Sequence, residues 1–215
     1  MSDCTCGTPD RLEPWQCEHF HVWRGSFRLT SVGRVLREAW PIKPSWDAVD
    51  PAVIENARER GEEVDRLFSA WLNGQLTSIP AGTREDSKER MRALCDWWQD
   101  SGMLEARAQV LLANQEYCGI VDLISGGGIY DVKNTAAIET TYILQLGGYA
   151  DLYEEMHGCL PSKLGVIHVT QPKDRPVSVR LLEFDVATAV SQWRLLKEFW
   201  TMVQRIAGKR NQGRA

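Results

Sequence analysis

Residues 119–133 read Gly119-Ile120-Val121-Asp122-Leu123-Ile124-Ser125-Gly126-Gly127-Gly128-Ile129-Tyr130-Asp131-Val132-Lys133. Two β-branched-rich runs flank Ser125-Gly126-Gly127-Gly128, the composition of a hairpin loop that needs positive φ. Antiparallel strands are therefore predicted near 118–124 and 129–134. Whether Gly126-Gly127 is a two-residue turn or all four residues form the loop, Ile124 faces Ile129 and Asp122 faces Asp131. Directly opposed residues hold their Cβ atoms roughly 5 Å apart. Side chains alternate faces, so Asp131 and Lys133 share one face and Tyr130 and Val132 take the other. The hairpin thus predicts two carboxylates and one ammonium at one point.

Opposed like charges destabilise a strand pair unless something compensates them, and a face lined by Ile120 and Ile129 hydrates them poorly. A hard divalent cation is one compensation, since one or two carboxylates, waters and substrate phosphates are the usual way Mg²⁺ is held. The other is a solvated face on which Lys133 simply pairs with both acids. The hairpin alone leaves both open.

Downstream, Glu139 to Met156 has helical periodicity, with Ile143, Leu146, Ala150 and Tyr153 as its apolar stripe. Gln145 and Tyr149 stand four apart on one face of that helix. Gly147-Gly148 lie between them, each costing about 1 kcal/mol relative to Ala inside a helix. Close approach of this helix to the sheet is the expected reason. Further helices are predicted near 31–38, 51–73 and 84–100 and from Ala187 onward, and further strands near 106–113, 164–169 and 177–184. On the 51–73 helix Val64, Leu67, Phe68 and Trp71 form a buried stripe with Asp65 at its border. His168 reads as a core histidine, and Trp97-Trp98 as buried aromatics rather than base-stacking platforms.

Gly119-Ile120-Val121-Asp122, Asp131-Val132-Lys133 and Gln145-Leu146-Gly147-Gly148-Tyr149 together resemble the three core motifs of the PD-(D/E)xK nuclease superfamily. The resemblance is to its RecB, Cas4 and phage-exonuclease branch, where G-x-x-D, (D/E)-x-K and Q-x-x-x-Y recur in this order. Ser31-Val32-Gly33-Arg34-Val35-Leu36 and Arg60-Gly61-Glu62-Glu63-Val64-Asp65 extend it upstream, so that it covers roughly residues 30 to 170. It implies an α/β fold with a restriction-endonuclease-like core, a mixed central sheet flanked by helices, carrying an N-terminal helical elaboration. It implies a Mg²⁺- or Mn²⁺-dependent deoxyribonuclease, an exonuclease acting on DNA ends or single strands and leaving 5′-phosphates. The alternatives are a structure-dependent endonuclease and an inactive DNA-binding or assembly module on the same fold. Asp122, Asp131, Lys133, Gln145 and Tyr149 take the catalytic positions; Asp65, Asp122, Asp131 and the Val132 carbonyl take the metal positions. Asp65 departs from the branch, which usually has histidine there, but keeps an oxygen ligand. Glu105 is a further candidate at the start of the first core strand.

The 215 residues, 43% hydrophobic, suit a single domain over 31–207. An N-terminal segment, 1–30, precedes it. The basic tail 208–215, with Lys209, Arg210 and Arg214, is expected to be disordered. The net charge of −4 is unusual for a protein that grips nucleic acid by phosphate neutralisation alone. Active-site acids offset by a metal remove part of that conflict. Arg24, Arg28, Arg34 and Arg37, with Lys163, Lys173, Arg175 and Arg180, could line a DNA path or be solvated surface. No signal peptide or membrane span is read, so a cytoplasmic protein with reduced cysteines is expected, and association into a homo-oligomer is left open. Cys4, Cys6, Cys17 and His19 could form a structural Zn²⁺ site or be unconnected groups. No cysteine follows Cys159, so no iron–sulfur cluster is expected.

Overall fold

The structure is a computed structural model that describes residues 15–16, 20–23, 27–40, 49–103, 106–172 and 174–212, with side chains described only within 29–207. Cys4, Cys6, Cys17, His19, Glu105 and Lys173 lie outside the described residues. Elements follow in the order β1 (Trp15–Gln16), β2 (Phe20–Trp23), β3 (Phe27–Ser31), α1 (Val32–Ala39), α2 (Pro51–Leu72), α3 (Glu85–Asp100), β4 (Ala106–Ala113), β5 (Tyr117–Ser125) and β6 (Gly128–Lys133). The chain continues through α4 (Thr140–His157), β7 (Leu164–Thr170), β8 (Ser178–Phe184) and α5 (Val186–Gln212). One eight-stranded sheet runs β1-β2-β3-β5-β6-β7-β8, with β4 on the other edge of β5. β4, β5 and β6 form an antiparallel meander, β6 and β7 are parallel, and β8 returns antiparallel. This is the expected α/β fold, a mixed central sheet flanked by helices.

The sheet separates two cores. One lies under α1, α4 and α5 and contains Val32, Val35, Leu146, Ala150, Val190 and Trp193 against Val121, Ile129 and Val166. The other lies under α2 and α3, where Val64, Leu67, Phe68, Met91 and Leu94 meet Leu123, Tyr130 and Ile167. Ile129 and Tyr130, like Val166 and Ile167, fall into opposite cores, as alternation along a strand requires. Trp97 and Trp98 pack against the second core, and His168 is 1% exposed with Nε2 2.9 Å from the Thr135 carbonyl oxygen. Among the described residues, no helix is long and apolar enough to cross a membrane.

One expectation changes. The glycines of α4 meet helices rather than the sheet: a Cβ on Gly147 would stand 2.2 Å from the Ala189 carbonyl oxygen of α5, and one on Gly148 2.9 Å from Val32 Cγ1 of α1. The last helix runs from Val186 to Gln212.

Because the obstacle at Gly147 is backbone, it cannot rotate away. Gly147→Ala is expected to destabilise the fold by roughly 1–3 kcal/mol through overpacking. Gly61→Ala, in α2 with no atom within 4 Å of the added carbon, is expected to be neutral or to stabilise by about 0.5–1 kcal/mol. Denaturant titration of both variants checks the contrast; equal midpoints would remove the steric explanation.

Candidate active site

The Gly126-Gly127 turn has φ of 55° and 75° at its two central residues, the left-handed pair that a two-residue type I′ hairpin demands. It sets the register Ser125–Gly128, Ile124–Ile129 and Leu123–Tyr130. There the pairing stops. The next rung, Asp122 with Asp131, does not form; instead the Val132 N–H donates to Asp122 Oδ2 at 2.9 Å. At the start of β5, Tyr117 and Cys118 pair with Thr30 and Ser31 of β3. One edge of β5 is thus shared by β6 and β3, and residues 119–122 between them border an opening in the sheet. A cavity of about 240 Å³ occupies this region, lined by Ser31, Gly33, Gln109, Gly119, Asp122 and Tyr149 among others.

The opening coincides with an irregularity on the opposite edge. Gln109, which the β4–β5 register places across from Asp122, has φ of 55° and makes no rung, although its neighbours Ala108 and Val110 do. Left-handed backbone is uncommon for a non-glycine residue and costs of order 1–3 kcal/mol. Its effect is visible in the packing. Ala106 and Ala108 pack against the α2/α3 core but Val110 and Leu112 against the α4 core, and on β5 Val121 and Leu123 divide the same way. Residues of one parity therefore change face on both strands at this rung. The kink turns Asp122 out of the ladder and toward the gap, as bulges beside active sites do.

Asp131 is wholly buried, and Lys133 Nζ lies 2.7 Å from its Oδ2. Asp131 Oδ1 accepts no hydrogen bond in the protein. Asp65 reaches in from α2, where Gln109 Nε2 donates to its Oδ2 at 3.2 Å; its Oδ1 is buried and unpartnered. The three carboxylates lie within one another's field. Burial first, then the charge of Asp131, pushes Asp65 up to about 6. Burial, Asp131 and Asp65 raise Asp122 well above the usual carboxylate range. Burial works against the Lys133 ammonium, but Asp131 and Asp122 outweigh it and hold the group protonated.

α4 closes the site. Gln145 Nε2 donates to the Tyr149 hydroxyl at 2.8 Å, and burial followed by the nearby Asp122 and Asp131 raises the Tyr149 phenol. A Cβ on Gly119 would sit 2.5 Å from Tyr149 Cε1, so the glycine of Gly119-x-x-Asp122 makes room for the tyrosine ring. Lys133 Nζ also stands 5.1 Å from the centre of the Tyr142 ring. Tyr142, Gln145 and Tyr149 form one helical stripe facing the charges. Asp65, Asp122, Asp131, Val132, Lys133, Gln145 and Tyr149 thus come together around one opening.

The chain matches no protein-family model and no curated protein. Solved structures share part of its chain course. A Eubacterium rectale protein provisionally described as an exonuclease is 12% identical, with 77% of this chain and 71% of that one covered at a TM-score of 0.48. The alkaline exonuclease LHK-Exo of Laribacter hongkongensis is 15% identical, with 84% and 94% covered at 0.35. A phage-related exonuclease of Haemophilus somnus 129PT is 10% identical, with 83% and 96% covered at 0.36. Likenesses of this size carry no residue's role from those proteins to this one.

The donor set nevertheless fits a hard cation on chemical grounds. The buried Oδ1 atoms of Asp131 and Asp65, which accept no hydrogen bond in the protein, beside an Asp122 whose charge is disfavoured, form an all-oxygen acceptor site with one ammonium to offset three acids. On an extended strand the N–H and C=O of one residue point to the same side, so the Val132 carbonyl faces the gap into which its N–H donates. Among the described residues no three acids, histidines or cysteines are already drawn to ligand distance.

Gln109 and Tyr142 were not singled out from the letters. Tyr142 was accessible, three residues before Gln145 on the same helical face. Gln109 was marked only by being polar in Ala108-Gln109-Val110. Gln109→Gly, which tolerates the left-handed backbone, is expected to keep the fold's stability and lose only the hold on Asp65. Gln109→Val, β-branched and unsuited to positive φ, should lower stability by about 1–3 kcal/mol and misplace Asp122 as well. Melting curves together with Mn²⁺ titration separate the two, and indistinguishable variants would remove the backbone role.

Proposed function

We propose that this chain is a Mg²⁺- or Mn²⁺-dependent nuclease that hydrolyses phosphodiester bonds in DNA, acting as an exonuclease from ends or single strands. The observation that carries the reading is the meeting of Asp65, Asp122 and Asp131 with the protonated Lys133 at the gap in the sheet. Asp122, Asp131, Asp65 and the Val132 carbonyl would hold the cation, which when bound polarises a phosphate oxygen and makes water acidic enough to attack near neutral pH. Lys133 is placed to orient that water and to neutralise charge gathering on the phosphate. Asp131 and Tyr142 fix the ammonium's position. Gln145 holds the Tyr149 hydroxyl toward the same space, where the phenol, kept protonated, can donate to a phosphate oxygen. The PD-(D/E)xK resemblance supports the same assignment and implies 5′-phosphate products.

Incubation with end-labelled linear duplex, single-stranded and circular DNA, in Mg²⁺, Mn²⁺ or EDTA, tests this. Nucleotide release from ended substrates alone, abolished by EDTA, is expected. Cutting of circles would show an endonuclease instead, and binding without cutting a DNA-binding or assembly module on this fold.

A further inference from the structure

We infer that the C-terminal half of α5 is an interface between two copies of this chain, packed antiparallel about a two-fold axis. The helix spans 27 residues, roughly 40 Å. Its inner face is accounted for: Val190 and Trp193 are buried, Trp200 Nε1 and Gln204 Nε2 donate to Glu38 of α1, and Arg194 and Lys197 pair with Asp151. The outer face changes character along its length. Thr188 and Gln192 stand on it first and are polar and exposed. Leu195, Phe199, Met202 and Ile206 continue the same stripe at 66%, 50%, 51% and 51% exposure. Spacings of four, three and four residues are those of a coiled-coil seam, and an ordinary solvated helix face has no need of four large apolar groups at that repeat.

The charges flanking the seam choose the partner and its direction. Glu198 and Arg205 occupy equivalent positions one heptad apart on the same side of the stripe. They are about 10 Å apart along their own helix, too far to meet, and neither has an ion-pair partner among the described residues. In an antiparallel pair of identical helices, Leu195 layers on Ile206 and Phe199 on Met202. Glu198 of each copy then falls beside Arg205 of the other, giving two symmetric ion pairs. A parallel pair would set Glu198 against Val203 and leave both charges unmatched. The surface is thus complementary to itself, the requirement of an isologous dimer. A four-layer helix pair lies at the small end of specific interfaces, below about 1,200 Å² in total, so association in the micromolar range is expected.

Sedimentation equilibrium of the full chain across about 1 to 100 µM reads the prediction directly. The wild type is expected to move from monomer to dimer over this range. Phe199→Glu should weaken the dimer at least about 100-fold, and Glu198→Arg or Arg205→Glu each about 10-fold. The double reversal Glu198→Arg with Arg205→Glu should return to within about threefold of the wild type. Gln192→Glu, on the polar part of the stripe, should leave the equilibrium alone, and unchanged melting of every variant by circular dichroism shows that folding is not what moved. A wild type that stays monomeric at the highest concentration, a larger assembly, or charge reversals whose effects simply add would overturn the antiparallel pairing. None of these readouts depends on nuclease activity.

Discussion

Lys133→Met is expected to bind Mn²⁺ at least as tightly as the wild type and to cleave DNA about 10³-fold more slowly. The two halves of this result have separate causes. All three carboxylates survive the substitution, and the ammonium that competes for Asp131 at 2.7 Å is gone, so cation binding at neutral pH loses a competitor. The chemical step loses a fixed positive charge in a poorly hydrated site, where such a charge acts most strongly on the developing transition state; losses of about 10² to 10⁴ follow removal of a positioned acid, base or charge. Lys133→Arg should not rescue the rate. The side chain is only 20% exposed, wedged between Asp131 and the Tyr142 ring, and a planar guanidinium cannot replace a compact ammonium there. Mn²⁺ titration followed by single-turnover cleavage separates the effects. A Lys133→Met protein that cuts at the wild-type rate would sink the catalytic assignment, and one that no longer binds Mn²⁺ would move Lys133 from chemistry to site assembly.

Much of this geometry is legible in the letters because short-range rules set it. A two-residue glycine turn fixes the hairpin register, and alternation then puts Asp131 and Lys133 on one face without knowledge of any other element. Helical spacing likewise puts Gln145 beside Tyr149. What escaped the sequence depends on how strands and helices meet at long range. The register points Asp122 at Asp131, but nothing local says that the ladder ends at Leu123 and that β3 takes the same edge of β5 at Tyr117 and Cys118. The left-handed backbone at Gln109 is equally silent, since glutamine is not a residue that usually signals positive φ. Gly147-Gly148 announce a close approach without naming the partner. They proved to be the seat of α5 and α1, so the α4 surface that carries Gln145 and Tyr149 is backed by helices.

Asp122→Asn is expected to abolish metal-dependent cleavage and, in the metal-free protein at pH 8, to raise stability by on the order of 1–3 kcal/mol. The asparagine carbonyl can still accept the Val132 N–H, so the backbone contact that replaces the missing rung survives. What disappears is a carboxylate whose charged form is disfavoured by burial, then by Asp131 and Asp65. An acid whose folded-state pKa is raised contributes stability that is fully present below its unfolded value near 3.9 and is lost as pH rises through the folded value. For Asp65 that window runs from about 3.9 to about 6; for Asp122 the loss begins at the same point and extends upward. Metal-free wild type should therefore melt at a lower temperature at pH 8 than at pH 5, with a shallower dependence in the variant. Saturating Mn²⁺ should reverse the ranking at pH 8, because ligand binding to the folded state stabilises only the protein that can hold it. Thermal denaturation at both pH values, with and without Mn²⁺, checks the crossing. If the variant were the less stable form without metal at pH 8, the carboxylates would be contributing to the fold rather than being held together against their repulsion. The expected crossing would instead mean that the like charges are kept at a cost to stability which the bound cation offsets.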